Sequence, residues 1–219
     1  MRNHANGQDL ILSQITDKYS QQRDFSGCDL SGIDLRGVDL SGINLIGADL
    51  RYANLSGSVL LGSNLSSANL MHANLQEACL CDASLCEANL IDADLKGANL
   101  CGAFLWRVKL SRSKLWAASL CGADLREADL SDAQLIEASL IEANLVRANL
   151  TGAKLCGAML LEANLHQANL TSTDLTWSNL SKANLTEANL WQAKLIFTKQ
   201  QGTIMPDGTI HQDEVFFCE

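Results

Sequence analysis

Apolar positions recur along this chain with a period of five. Phe25 comes first, and from Leu30 to Leu195 every position divisible by five is leucine, 34 in all without a slip. Neither a helix nor a flat strand produces this spacing. A helix advances about 100° per residue, so a period of five drifts around it and no face collects the leucines. A strand has period two, and leucines five apart would alternate between its faces. The chain must instead turn a corner about once per five residues, so that each leucine returns to one interior. Two residues before each leucine lies a second regular position. It is alanine in most repeats, as at Ala123, Ala128, Ala133 and Ala138, and otherwise mostly small or β-branched, as at Ile33, Val38, Ser58, Ser63 and Thr173. One large and one small inward residue per repeat suit a narrow tube. The residue before leucine is usually Asn or Asp, and the residue two after it is Gly in an opening run from Gly27 to Gly47. Gly at a fixed phase suits turns that need φ > 0.

Tandem Ala-(Asn/Asp)-Leu-x-x units of this kind resemble the pentapeptide-repeat family, over residues 23–198. The resemblance implies an all-β fold: a right-handed quadrilateral parallel β-helix. Four pentapeptides form a coil of about twenty residues, with the leucine and the residue two before it inside. Coils stacked at ~4.8 Å make about nine coils and a rod roughly 40 Å long. Residues 9–20 read as a short amphipathic helix, with Leu12, Ile15 and Tyr19 on one face and Asp9 at the N-cap. Residues 1–22 are therefore expected to cap the open end of the ladder. Residues 199–219 are expected to close the other end. There Pro206-Asp207-Gly208 is a turn signal between two short alternating runs, and the segment resembles the closing segment of many cyanobacterial members. The apolar tail Val215-Phe216-Phe217-Cys218 would fold over the last coil or meet a partner.

Composition narrows the class. One uninterrupted repeat in 219 residues argues for a single solenoid. The formal net charge of −9 argues against direct nucleic-acid binding and against an anionic membrane surface. No apolar run approaches the about 18 residues of a membrane span. Met1-Arg2-Asn3-His4 is not followed by the apolar stretch of a secretory signal, so a cytoplasmic protein is expected.

Catalytic, cofactor and metal constellations are not expected. The histidines His4, His72, His166 and His211 are scattered. On a twenty-residue coil His166 lies four coils from Cys86, roughly 19 Å away. The eight cysteines resemble a disulfide framework or a zinc site only until they are placed on the coil. Cys28 then falls inward and Cys79 precedes a leucine, while Cys81, Cys86, Cys101, Cys121 and Cys156 each follow one and face outward. Cys81, Cys101 and Cys121 stack in one column about 10 Å long, which one zinc cannot span. They read as structural thiols rather than a redox or metal site.

Positions twenty apart share a column. One column runs Leu61, Cys81, Cys101, Cys121, Ile141, Leu161, between Ser41 and Ser181. Such a stripe is a candidate protein-binding face, or it reflects like residues stacking on themselves in a flat ladder; the sequence leaves both open. A second column, Glu87, Arg107, Glu127, Arg147, Gln167 and Glu187, is expected to form a charge ladder. Trp177 should stack on Phe197, and Lys96 is placed for a cation–π contact with Trp116. The function expected is a non-enzymatic protein–protein interaction scaffold, monomeric or homodimeric, with an unidentified protein partner and no cofactor. The alternative, implied by the resemblance, is a DNA mimic that inhibits a type II topoisomerase. The net charge leans that way. The unbroken register, which admits no loop, and the interspersed Arg and Lys lean against it.

Overall fold

The structure, a computed structural model, describes residues 13–15 and 23–212. The chain winds as a stack of coils. From Asp24↔Asn44 to Asn184↔Ile204, the described bridges are parallel and join residues twenty apart. Each coil holds four short straight segments and four turns, one per pentapeptide.

The turn is set two residues after the leucine. Every such position from Gly27 to Gly202 has φ between 53° and 72°. A hydrogen bond closes the turn from the residue three after the leucine back to the leucine carbonyl, as from Ala53 N–H to Leu50 O at 3.0 Å. Positive φ at the third residue of such a turn favours Gly. Yet Tyr52, Glu127, Arg147 and Trp177 adopt it too, so burial of the next leucine overrides a local preference. At Gly102 and Gly152 a side chain would also have to displace the free end of an aspartate on the preceding coil. A Cβ there would lie 2.4 Å from Asp82 Oδ1 and 2.5 Å from Asp132 Oδ1 respectively.

The Asn or Asp before each leucine completes the backbone accounting. In the repeat around Leu50, Asp49 N–H donates to Cys28 O of the preceding coil. Leu50 N–H and Tyr52 N–H donate to Asn69 O and Met71 O of the following coil. Ala53 N–H closes the turn, and Arg51 N–H, the fifth, donates to Asp49 Oδ1 at 3.2 Å. All five donors are satisfied, which a nearly proline-free ladder needs. The same short-range cap recurs at Asp24, Asn64, Asn149 and Asn184.

The leucines fill the tube. Leu30 to Leu185 are each at most 1 % exposed, and from Leu45 to Leu185 the residue two before each leucine is buried beside it, as is Ile33, while Val38 is half-buried. Burying a leucine is worth roughly 1.5–3 kcal/mol against leaving it in water, so the interior outweighs any single surface contact. Where a serine or threonine replaces alanine, its hydroxyl is generally used internally. Ser58 Oγ donates to Leu55 O at 2.7 Å, and Thr173 Oγ1 to Leu150 O of the preceding coil at 2.8 Å. Cys28 is half-buried against the same core.

At the first coil, Phe25 is buried, and Ile15 belongs to the same apolar cluster. Residues 13–15 are helical; the rest of the expected 9–20 helix lies outside the described residues, as does the 213–219 tail. At the other end the ladder continues to Ile204, which also pairs antiparallel with Ile210 around a turn at Gly208 (φ 83°). The resulting hairpin extends one side of the last coil only, and Leu190 and Leu195 are just half-buried.

If φ rather than space governs the corners, Ala117→Gly should stabilise the protein and Gly122→Ala, one corner on, should destabilise it. Ala117 has φ 53°, and a Cβ on Gly122 would meet nothing within 4 Å. Each change should be about 1 kcal/mol, read as opposite shifts of the thermal midpoint.

Candidate functional site

The leucine period carries Leu61, Cys81, Cys101, Cys121, Ile141 and Leu161 to one corner of successive coils. Leu61 is 47 % exposed, and the other five are half-buried because each leans on its neighbours above and below. A second column adjoins it, which the sequence reading did not single out: Val59, Cys79, Asn99, Ser119, Ser139 and Met159, the residues just before the leucines. Val59 and Met159 are 37 % and 43 % exposed. The signal was available, because these are positions where the usual Asp is absent throughout. Together the two columns contain no charged residue from Val59 to Leu161. Phe104, 53 % exposed, stands on the adjoining side at mid-height.

Thiols and hydroxyls occupy the middle of this face. Cys79 Sγ lies 3.7 Å from Cys81 Sγ. Cys101 Sγ approaches Ser119 Oγ to 3.0 Å, and Cys121 Sγ approaches Ser139 Oγ to 3.1 Å. Burial, with Cys79 beside it, pushes the Cys81 thiol up to about 11. Burial also pushes Cys121 upward, but its hydrogen bonds with Ser139, Ser119 and Cys101 outweigh that, and the thiol lies below its ordinary value. Each cysteine among the described residues is free, and among those residues no cluster of His, Cys, Asp and Glu could hold a metal ion. His72 stacks on Tyr52 at 5.0 Å and His166 Nδ1 faces Thr186 O at 3.0 Å, on separate corners.

The coil at the centre of the face is chemically unlike its neighbours. Residues 101–120 carry Arg107, Lys109, Arg112 and Lys114 and none of the chain's 25 Asp and Glu residues. Its four caps are gone too: Phe104, Lys109, Lys114 and Ser119 stand where Asn or Asp usually precedes leucine. Acidic coils flank it. Arg112 reaches back to Asp92 at 2.7 Å and Lys114 to Asp94 at 3.6 Å, while Arg107 reaches forward to Glu127 at 2.8 Å. Exposed ion pairs add little stability individually, so this sandwich chiefly fixes which coil lies on which. The wider ladder expected at Glu87–Glu187 forms through Arg107–Glu127 and continues from Arg147 Nε to Gln167 and from Gln167 Nε2 to Glu187. Trp177 and Phe197 stack at 4.3 Å. Among the described residues the cation–π contact falls at Arg107, 4.6 Å over Trp106, and not at Lys96 and Trp116. Trp116 instead donates through Nε1 to Gln134 Oε1 at 3.0 Å, and with Lys96, Lys114 and Asp94 it lines a shallow cleft of about 320 Å³.

A chain that closes a coil every twenty residues around a file of leucines is a β-helix solenoid. Its repeats match the family described as pentapeptide repeats, in eight copies over residues 24–186, and the chain belongs to that family. Among solved structures it is similar to HetL, a pentapeptide repeat protein involved in heterocyst differentiation regulation from the cyanobacterium Nostoc sp. strain PCC 7120. The identity is 36 %, covering 87 % of this chain and 94 % of HetL, with a TM-score of 0.54. QnrB1, a plasmid-mediated fluoroquinolone resistance protein, matches at 20 % identity over 78 % of this chain and 92 % of its own, with a TM-score of 0.49. Rfr23, a pentapeptide repeat protein from the cyanobacterium Cyanothece 51142, matches at 24 % identity over 84 % and 92 %, with a TM-score of 0.21. No curated protein matches the chain. Among the described residues no helix is long and apolar enough to cross a membrane.

Two outcomes follow from these electrostatics. Hydrogen bonds from Arg112 and Arg126 hold the Asp92 and Asp124 carboxyls below their ordinary value of 3.8. A depressed carboxylate stabilises the fold fully above that value, and the contribution is lost as pH falls through the folded-state pKa. The melting midpoint should therefore drop as pH falls below 3.8, and less steeply in an Arg112→Gln, Arg126→Gln double variant. Among the thiols, limited alkylation of the native protein near pH 8 should label Cys121 well before Cys81, read by peptide mass spectrometry, because the thiolate is the nucleophile.

Proposed function

We propose that the chain is a right-handed quadrilateral β-helix, residues 23–198, closed by an N-terminal helical cap (residues 1–22) and a C-terminal cap and tail (residues 199–219). In this reading it is a non-enzymatic, cytoplasmic scaffold that docks a protein partner on one flat side. The observation that carries the reading is the uncharged face from Val59 to Leu161 on a chain of net charge −9. A solvated ladder has no reason to exclude charge from two adjacent columns over six coils, when the other sides carry ion-pair ladders at the same heights. An apolar strip with a polar rim is the anatomy of an interface, and Glu142 and Glu162 supply part of that rim. Local rules are also relaxed at its centre, where the 101–120 coil gives up all four caps; departures of that kind cluster at functional sites. The likeness to HetL supports a regulatory setting.

The DNA-mimic alternative draws on the family resemblance and on the net charge. Against it, the basic 101–120 coil interrupts the acidic surface, and the ladder runs from Asp24 to Ile204 without a looped-out residue.

The test compares the wild-type chain with a Cys101→Arg, Ile141→Glu variant. Both positions lie outside the tube, so circular dichroism and melting should be unchanged. A partner captured from source cells and then bound by the purified wild-type chain should lose at least about tenfold in affinity for the variant. Equal binding by both chains overturns the docking face. In a gyrase supercoiling assay the wild-type chain should not inhibit; inhibition near equimolar concentration would favour the mimic.

A further inference from the structure

We propose that the uncharged face pairs two copies of this chain antiparallel, about a two-fold axis perpendicular to the rod between the coils of Cys101 and Cys121. The proposal rests on the docking-face reading and names its occupant. Its basis is the order of residues along the face. Turned end over end about that point, the first column sets Leu61 against Leu161 of the second copy, Cys81 against Ile141, and Cys101 against Cys121. The adjoining column sets Val59 against Met159, Cys79 against Ser139, and Asn99 against Ser119. Large apolar side chains meet at both ends, and smaller ones meet in the middle. An isologous two-fold interface pairs residues reciprocally, and about this point every pair on the face is apolar, thiol or uncharged polar.

Exposure and charge agree with the pattern. Among the apolar members the exposed ones stand at the two ends, Leu61 at 47 %, Met159 at 43 % and Val59 at 37 %. Two copies that each carry −9 repel one another, and this face is where they can approach without opposing like charges directly. Glu77 and Glu137 on one flanking corner, and Asp82 and Glu142 on the other, come to matching heights at the rim. Their repulsion is exposed and screened by salt, so association should tighten as ionic strength rises.

Charge reversal tests the arrangement. In sedimentation equilibrium the full chain should show a concentration-dependent monomer–dimer equilibrium. Leu61→Lys and Leu161→Glu should each weaken it at least about tenfold by burying an unpaired charge. The double variant should recover it, because Lys at 61 then faces Glu at 161 of the second copy at both ends. Within one chain the two positions are five coils apart, roughly 24 Å, and cannot rescue each other. A wild type that stays monomeric, or a double variant no tighter than the singles, overturns the proposal. Should the variants prove unstable, a short thiol cross-linker applied to mixed isotope-labelled and unlabelled wild type decides the matter. Intermolecular Cys101–Cys121 links without Cys81–Cys81 links support the antiparallel pair, in which the two Cys81 residues lie roughly 14 Å apart along the rod; Cys81–Cys81 links, or no links, overturn it. A monomeric wild type whose foreign partner is lost in Cys101→Arg, Ile141→Glu would sink the dimer and leave the docking face standing. Unchanged contacts in that variant would sink both.

Discussion

The left-handed corner two residues after each leucine is what lets the chain close its coils. Without φ near +60° at that position, the chain cannot change direction within five residues, and the next leucine does not return to the interior. Many of these corners hold residues that pay a local conformational cost, Glu127, Arg147 and Trp177 among them. That cost is sustained because each corner delivers one leucine into a sealed tube and one ladder of backbone bonds to the next coil. Interior burial and corner strain are thus one cooperative unit, and neither makes sense alone.

Once corners and leucines are satisfied, the outward positions are free to carry information. Backbone donors are met by the ladder, the turn and the Asn or Asp side chain before leucine, so surface side chains need not serve the fold. Their arrangement is nonetheless far from uniform. Residues 101–120 abandon the Asn and Asp caps and hold Arg107, Lys109, Arg112 and Lys114, on two adjoining pentapeptides, between two acidic coils. A solenoid of near-identical repeats has little else to distinguish one coil from its neighbours. Opposite charge between adjacent coils supplies that distinction, and Arg107, Arg112 and Lys114 make the bonds that express it.

The face from Val59 to Leu161 is the other departure from uniformity. Side chains stacked at coil spacing shield each other, so even its cysteines are half-buried, and hydroxyls of Ser119 and Ser139 tie the thiols laterally. Such a surface is preordered, which lowers the entropy cost of docking on it. In the proposed reading the rod does no chemistry of its own. It holds a rigid, uncharged strip at fixed spacing, on a fold that it shares with HetL over most of both chains.

Much of this was legible in the sequence because the period is covalent. Once every fifth residue is leucine, the inward positions follow by counting; with the twenty-residue coil that the family resemblance implies, so do the columns, the Trp177–Phe197 stack and the candidate stripe from Leu61 to Leu161. Charge ladders were legible as columns but not as pairs. Arg107 has Glu87 below and Glu127 above, and only rotamers in the folded stack choose Glu127. For the same reason Lys96 does not reach Trp116, whose ring nitrogen is held by Gln134 one coil on. The purpose of Asn and Asp before leucine was not legible either, because the backbone donor they satisfy is defined only by the turn geometry. The amino-acid order set each side chain's place within its pentapeptide, and the family resemblance supplied the number of pentapeptides per coil. Only the tertiary structure decided which neighbours touch and how deeply each residue is shielded, because those depend on side-chain packing between coils twenty residues apart.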